Sequence, residues 1–157
     1  CENVAAAICK HHPEVKSLRD ANYELLDEVR GEVSKEDALR AHYVIGEKER
    51  VMEVSAALEK EDYEEVGKKM YETHDGLSRE YEVSCPELDF LVDVARDCGV
   101  SGARVMGGGF GGCTINLVSQ ELYANFIDKA RKSYQEKFGK APIVIDVVIG
   151  DGARKLC

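Results

Sequence analysis

Val105-Met106-Gly107-Gly108-Gly109-Phe110-Gly111-Gly112-Cys113-Thr114 holds five glycines in the six positions from Gly107 to Gly112, between apolar flanks. Glycine loses the most backbone entropy on folding and weakens helix and strand interiors alike. A cluster of this kind belongs where the backbone must take a positive φ, or must approach something that a Cβ would block. The residues before it have helical periodicity, and many of those after it alternate. The chain turns on this loop.

Working outward, Thr114-Ile115-Asn116-Leu117-Val118 alternates with a β-branched bias and reads as a strand. Ala103-Arg104-Val105-Met106 lies on the other side, so the simplest reading of the connection is a hairpin. A tight two-residue hairpin needs one or two glycines, not five. The excess points to a backbone surface pressed against an anionic ligand or a neighbouring loop. Beyond the hairpin a helix is expected from about Gln120 to Phe138, with Leu122, Phe126, Ile127, Ala130 and Tyr134 on its apolar face. The run Ile143-Val144-Ile145-Asp146-Val147-Val148-Ile149 then predicts a further strand, closed by Asp151-Gly152-Ala153-Arg154.

Upstream the period is helical. Val4, Ala5, Ile8 and Cys9 mark a helix over 2–12, ended by His12-Pro13, where histidine cations suit the helix dipole. Ser17-Leu18-Arg19-Asp20 has the form of a capping box, with Leu25, Leu26 and Val29 as an apolar stripe before Gly31. Ser34 and Asp37 repeat the device and open a long helix to about residue 60, with Ala38, Ala41, Ile45, Met52, Ser55 and Leu58 as its inward stripe. Asp62 and Glu65 open another, carrying Val66, Met70, Leu77 and Tyr81. Ser84-Cys85-Pro86-Glu87 starts a helix with Ser84 as N-cap and Pro86 in the first turn, running to Cys98-Gly99. The sum is one α+β domain over residues 1–157: a helical half, then a β-β-α-β half.

The totals restrict function. A net charge of −9 argues against nucleic acid and anionic membrane surfaces as partners, because both want clustered Lys and Arg. It leaves a nucleotide open, since backbone donors can hold phosphate. The six cysteines, at 1, 9, 85, 98, 113 and 157, form no Cys-x-x-Cys pair. Cys9, Cys85, Cys98 and Cys113 sit among apolar residues and are expected as buried free thiols in a reduced, cytoplasmic setting. No apolar run approaches the length of a membrane-spanning helix. The chain begins Cys1-Glu2-Asn3 and enters a helical pattern at once, which suggests a cut through a larger protein.

The chemical motifs each have a plain alternative. Gly107-x-Gly109-x-x-Gly112 matches a dinucleotide fingerprint, but a strand comes next where that fingerprint must open a helix. A phosphate-binding P-loop fails because no Lys-Ser/Thr follows the glycines. His42 and His74 lie in separate helices without metal-ligand spacing, and read as packed or half-exposed histidines. No Gly-x-Ser-x-Gly elbow is present, and Ser84 is explained as a helix cap. The acidic runs Glu47–Glu53 and Glu59–Glu65 are mixed with Lys and Arg, as on a solvated helix face.

Gly102-Ala103-Arg104-Val105-Met106-Gly107-Gly108-Gly109-Phe110-Gly111-Gly112-Cys113-Thr114 resembles the third motif of galactokinases, members of the GHMP small-molecule kinase superfamily. Ser17–Asp20, Arg40-Ala41-His42-Tyr43-Val44-Ile45-Gly46-Glu47, Tyr81-Glu82-Val83-Ser84-Cys85-Pro86-Glu87-Leu88-Asp89 and Asp151–Arg154 agree in order and spacing. The likeness covers essentially the whole chain. It implies the C-terminal domain of a GHMP kinase, with an antiparallel, ferredoxin-like sheet. It further implies a sugar kinase that moves the γ-phosphoryl of ATP, with Mg²⁺, onto the anomeric hydroxyl of galactose, in a monomeric cytoplasmic parent. Alternatives within the likeness are an N-acetylgalactosamine kinase or a non-catalytic galactokinase-like regulator.

By the same resemblance, the family's catalytic Asp and Arg, its sugar signature and its Gly-Leu-Ser-Ser phosphate loop belong to an N-terminal lobe absent from this sequence. Gly76-Leu77-Ser78 is a false echo of that loop, since Arg79 follows and the segment reads as helix. No catalytic or metal-ligating residue is therefore expected here, and the fragment alone is expected to be inactive. The resemblance places Gly107, Gly108, Gly109, Gly111 and Gly112 at the ATP phosphate cleft in a supporting role.

Overall fold

The computed structural model describes residues 1–147 together with Gly150 and Gly152. Five helices, α1 (Glu2–His11), α2 (Tyr23–Glu28), α3 (Lys35–Glu59), α4 (Tyr63–Arg79) and α5 (Pro86–Asp97), lead into an antiparallel hairpin, β1 (Gly102–Met106) and β2 (Cys113–Leu117). Helix α6 (Gln120–Phe138) comes next. The α+β order and the hairpin about the glycines are those expected from sequence.

Capping chemistry sets most boundaries. Ser34 accepts from the Asp37 amide at 3.0 Å and donates its hydroxyl to the Asp37 carboxylate at 3.1 Å. Asp37 also receives the Asn3 amide at 2.9 Å, tying α3 to α1. Asp62 caps α4 through the Glu65 amide at 3.1 Å. Ser17 and Asp20 behave differently. The Asp20 carboxylate accepts from the amides of Lys16 and Ser17, closing a turn rather than opening a helix. Local side-chain bonding of this kind competes with helix propagation, so α2 starts only at Asn22, whose side chain accepts from the Leu25 amide.

Two apolar clusters hold the elements. Val4, Ile8, Val15, Leu26, Val29 and Ile45 join α1, α2 and the first half of α3. Val92, Ala95, Val100, Ala103, Phe126 and Ala130 join α5, α6 and β1. Helix α4 connects them by packing on both α3 and β1. Its crossing of β1 is backbone on backbone: a Cβ on Gly67 would strike the Ser101 carbonyl, and one on Gly102 would strike Gly67. On the other side, Lys69 of α4 reaches Glu53 of α3 at 2.8 Å and Glu72 at 3.1 Å, and these carboxylates hold its ammonium above the ordinary lysine range.

Several expectations are corrected. Ala38, Ala41 and Ile45 of the α3 stripe are buried, but Ser55 and Leu58 are exposed and Met52 is 70% exposed. Beyond Arg50 only Val54 and Ala57 of α3 are covered or partly covered, although α4 packs against this helix. Cys9 and Cys113 are exposed, and Cys85 and Cys98 half-buried, although all are free thiols. Cys85, not Ser84, is the N-cap of α5, with Pro86 in its first turn as expected.

The fourth unit of the β-β-α-β half is also different. Residues 143–147 form no strand, and Ile143 is 91% exposed. Strand hydrogen bonds are made between chains of backbone, so an apolar β-rich run becomes a strand only where a partner edge receives it. Among the described residues this run is tied down by the Asp146 carboxylate, which accepts from the Tyr123 hydroxyl. Val148, Ile149 and most of Asp151–Arg154 lie outside the described residues.

Candidate functional site

The glycine loop joins the ends of β1 and β2, whose register pairs Val105 with Thr114 and Met106 with Cys113. The backbone is left-handed at Gly107, Gly109, Phe110 and Gly112, with Phe110 at φ 56° and its ring 77% exposed. Gly109 explains why this run tolerates no side chain at its centre. Its φ is +81°, and a Cβ there would strike the Val83 carbonyl and side chain. That close approach lets the next residue, Phe110, donate its amide to the Val83 carbonyl at 2.6 Å. Among the described residues no acceptor engages the amides of Gly108, Gly109 and Gly111. Successive backbone amides in left-handed and turn conformations form concavities that suit anions.

Beneath the loop lies a buried polar group. The Val105 amide points away from β2 and donates to His74 Nδ1 at 3.3 Å, so His74 closes the free edge of β1. With Nδ1 accepting, the ring proton sits on Nε2, which lies 3.2 Å from Asp89 Oδ1. Asp89 also accepts from Ser84 Oγ at 2.6 Å and from Ser78 Oγ at 3.1 Å. Burial holds His74 below the ordinary histidine range, against the opposing pull of Asp89 and Asp75. A cavity of about 170 Å³ opens beside the pair and is lined by Ser78, Arg79, Asp93 and Arg96 among others. Arg96 in turn donates to both carboxylate oxygens of Asp75 at 2.9 Å and stacks over Tyr71.

The five glycines named from sequence thus share one loop, while the two histidines set aside as packing residues separate. His42 is half-exposed, beside the Tyr23 ring and 2.7 Å from a Glu80 carboxylate oxygen. His74 is buried under the loop. Sequence reasoning missed its contact with Asp89 because they lie on different helices. The available signal was the spacing of His74 and Ser78, which puts both on one face of α4. Among the described residues no three His, Cys, Asp or Glu side chains gather as a metal site.

Residues 54–136, covering α4, α5, the hairpin and most of α6, match the family described as GHMP kinases, C-terminal. The chain belongs to the GHMP kinases. Human galactokinase is 43% identical over 158 aligned residues, which take in 100% of this chain and 38% of that protein. Thermotoga maritima galactokinase is 36% identical, over 99% of this chain and 42% of that protein. The crystal structure of Lactococcus lactis galactokinase complexed with galactose superposes with a TM-score of 0.79 at 27% identity, over 89% of this chain and 37% of that one. This GHMP kinase chain therefore spans about two fifths of the length of the curated relatives it matches. The matched region contains the glycine loop, the Val83 contact and the His74–Asp89 pair, so the site belongs to the family domain itself.

Proposed function

We propose that this chain is the C-terminal part of a galactokinase, an ATP-dependent kinase that phosphorylates the anomeric hydroxyl of galactose. The carrying observation is the glycine loop, held by Val83, with amides at Gly108, Gly109 and Gly111 that no acceptor among the described residues engages. The match to galactokinases along the whole chain supports the same reading. Phosphoryl transfer needs positioned donors and neutralisation of charge far more than it needs covalent participation by the protein. Free amides without Cβ atoms fit a polyphosphate, and the loop is proposed to wall the cleft that takes the ATP phosphates. ATP supplies the transferred phosphoryl group. From the likeness to galactokinases, Mg²⁺ and the groups acting on the sugar are proposed to belong mainly to the part of those relatives that this chain does not span. The net charge of −9 favours small-molecule partners over nucleic acid or an anionic membrane, and a monomeric cytoplasmic enzyme is the proposed setting.

The test is a coupled ADP-release assay on the full-length protein with galactose, N-acetylgalactosamine, glucose and no sugar. Galactose-dependent ADP release with galactose 1-phosphate as product is expected. Turnover only with N-acetylgalactosamine, or none with any sugar, would overturn the assignment.

A further inference from the structure

We propose that His74 and Asp89 are a positioning pair that sets the glycine loop from both of its attachments. Two hydrogen bonds from backbone amides tie the loop and its stem to the α4–α5 region. At its β1 end, the Val105 amide donates to His74 Nδ1. At its tip, the Phe110 amide donates to the Val83 carbonyl at 2.6 Å. Both lead to Asp89. His74 presents Nε2 to Asp89 Oδ1, and Ser84, next to Val83, donates to the same carboxylate at 2.6 Å. One carboxylate on α5 thus holds the ring that fixes the stem and the strap that fixes the tip.

The strap is the segment from Glu80 to Cys85 between α4 and α5. The Gly76 carbonyl receives the amides of Glu80 and Tyr81, and the Leu77 carbonyl receives the Val83 amide. These bonds fix the strap's root on α4, while the Asp89–Ser84 contact fixes its other end on α5. The Asp89–Ser78 bond adds a second tie from α5 to α4. A hairpin with five glycines has little stiffness of its own, and its open amides can meet a ligand in one geometry only if outside groups impose it. Preorganised donors act on a developing charge because they need not rearrange when it appears. His74 is also the side chain that pairs the outward amide of Val105, which would otherwise be buried without an acceptor.

The role rests on the kinase reading for its catalytic consequence but not for its structural content, and the experiment separates the two. The full-length protein is compared with H74A, H74N and S84A by hydrogen exchange over residues 103–113 and by steady-state kinetics in ATP and galactose. In H74N the Asn side-chain oxygen stands where Nδ1 stood and can still accept from Val105. Exchange at the Val105 stem is expected to rise by at least about tenfold in H74A, the effect of leaving a buried amide unpaired. H74N, which keeps an acceptor for Val105 but loses the Nε2 contact with Asp89, should recover part of it. S84A should loosen the loop tip at Phe110 while sparing Val105. If turnover is present, H74A should lower kcat/KM for ATP by at least about tenfold while the galactose KM moves less than about twofold, with H74N again recovering.

Unchanged loop exchange in both H74A and S84A would overturn the proposal. So would an H74N no better than H74A, or a rise in exchange spread evenly over α4 and α5, which mark a packing role. Should H74A fail to fold, H74N and S84A still decide, since H74N removes less buried volume than H74A and Ser84 is only partly buried. A wild-type protein without galactose-dependent turnover would sink the kinase reading and leave the exchange comparison standing as the test of the pair.

Discussion

Replacing Gly109 by alanine should destabilise the domain, whereas the same change one residue earlier should not. At Gly109 the φ of +81° costs an L-residue about 1–2 kcal/mol. The new methyl would overlap the Val83 carbonyl, so the loop tip must lift from the strap. Lifting removes the Phe110–Val83 hydrogen bond, worth about 0.5–1.5 kcal/mol net. Because the loop is largely exposed, it can relax outward, which caps the loss near the sum of these terms, about 1.5–3.5 kcal/mol. A methyl group at Gly108 would meet no atom within 4 Å, and its φ is not positive. Alanine there should be neutral or stabilise by up to about 1 kcal/mol through the unfolded chain. Urea denaturation of the full-length protein and both variants, followed by far-UV circular dichroism, reads the difference. Equal midpoints for G108A and G109A would refute the reasoning, because they would mean that the Val83 contact does not constrain the loop.

Three further outcomes are expected. I45A should cost about 2–5 kcal/mol, since Ile45 is fully buried in the first cluster, while M52A, seven residues along the same helix, should stay within about 0.5 kcal/mol; denaturation midpoints separate them. S34A should cost about 1 kcal/mol by removing the cap of α3, again read by denaturation. His74 is held below the ordinary histidine value, 6.5, so the unfolded chain takes up a proton more readily than the fold does. Its contribution is therefore complete above about pH 6.5 and is lost as pH falls towards the folded value. His12, raised chiefly by its hydrogen bond to Glu28, has the opposite sign and contributes below that pH. Melting temperature should depend less on pH below about pH 6.5 in H74N, whereas H12N should lose the fall in stability that His12 imposes as pH rises above about 6.5. Identical profiles for wild type and H74N would remove His74 from the account.

How far the sequence reached is clearest at particular residues. Ser34, Asp62 and Pro86 announce helix starts because a cap acts within one turn, and a local pattern suffices to read it. The hairpin is legible for the same reason: five glycines between two β-biased runs leave the backbone little else to do. Ser17 and Asp20 carry a similar pattern and form a turn, since the amides Asp20 bonds lie before it. The stripe expected through Met52 and Leu58 fails because periodicity shows which residues share a helix face, not whether another element lies there.

The sequence by itself determined the order of helices, the hairpin, the acidic charge balance and, through its motifs, the likeness to galactokinases. Tertiary structure decided what those pieces do to one another. Residues 143–147 have the composition of a strand, but a strand's hydrogen bonds belong to two segments at once. His74 looked like an ordinary packed histidine, and becomes the partner of Val105 and Asp89 only when α4 crosses β1 with Gly67 against Gly102. The glycines were visible from the start. What holds them in place is a set of contacts between α4, α5 and the strap, which no local window of sequence contains.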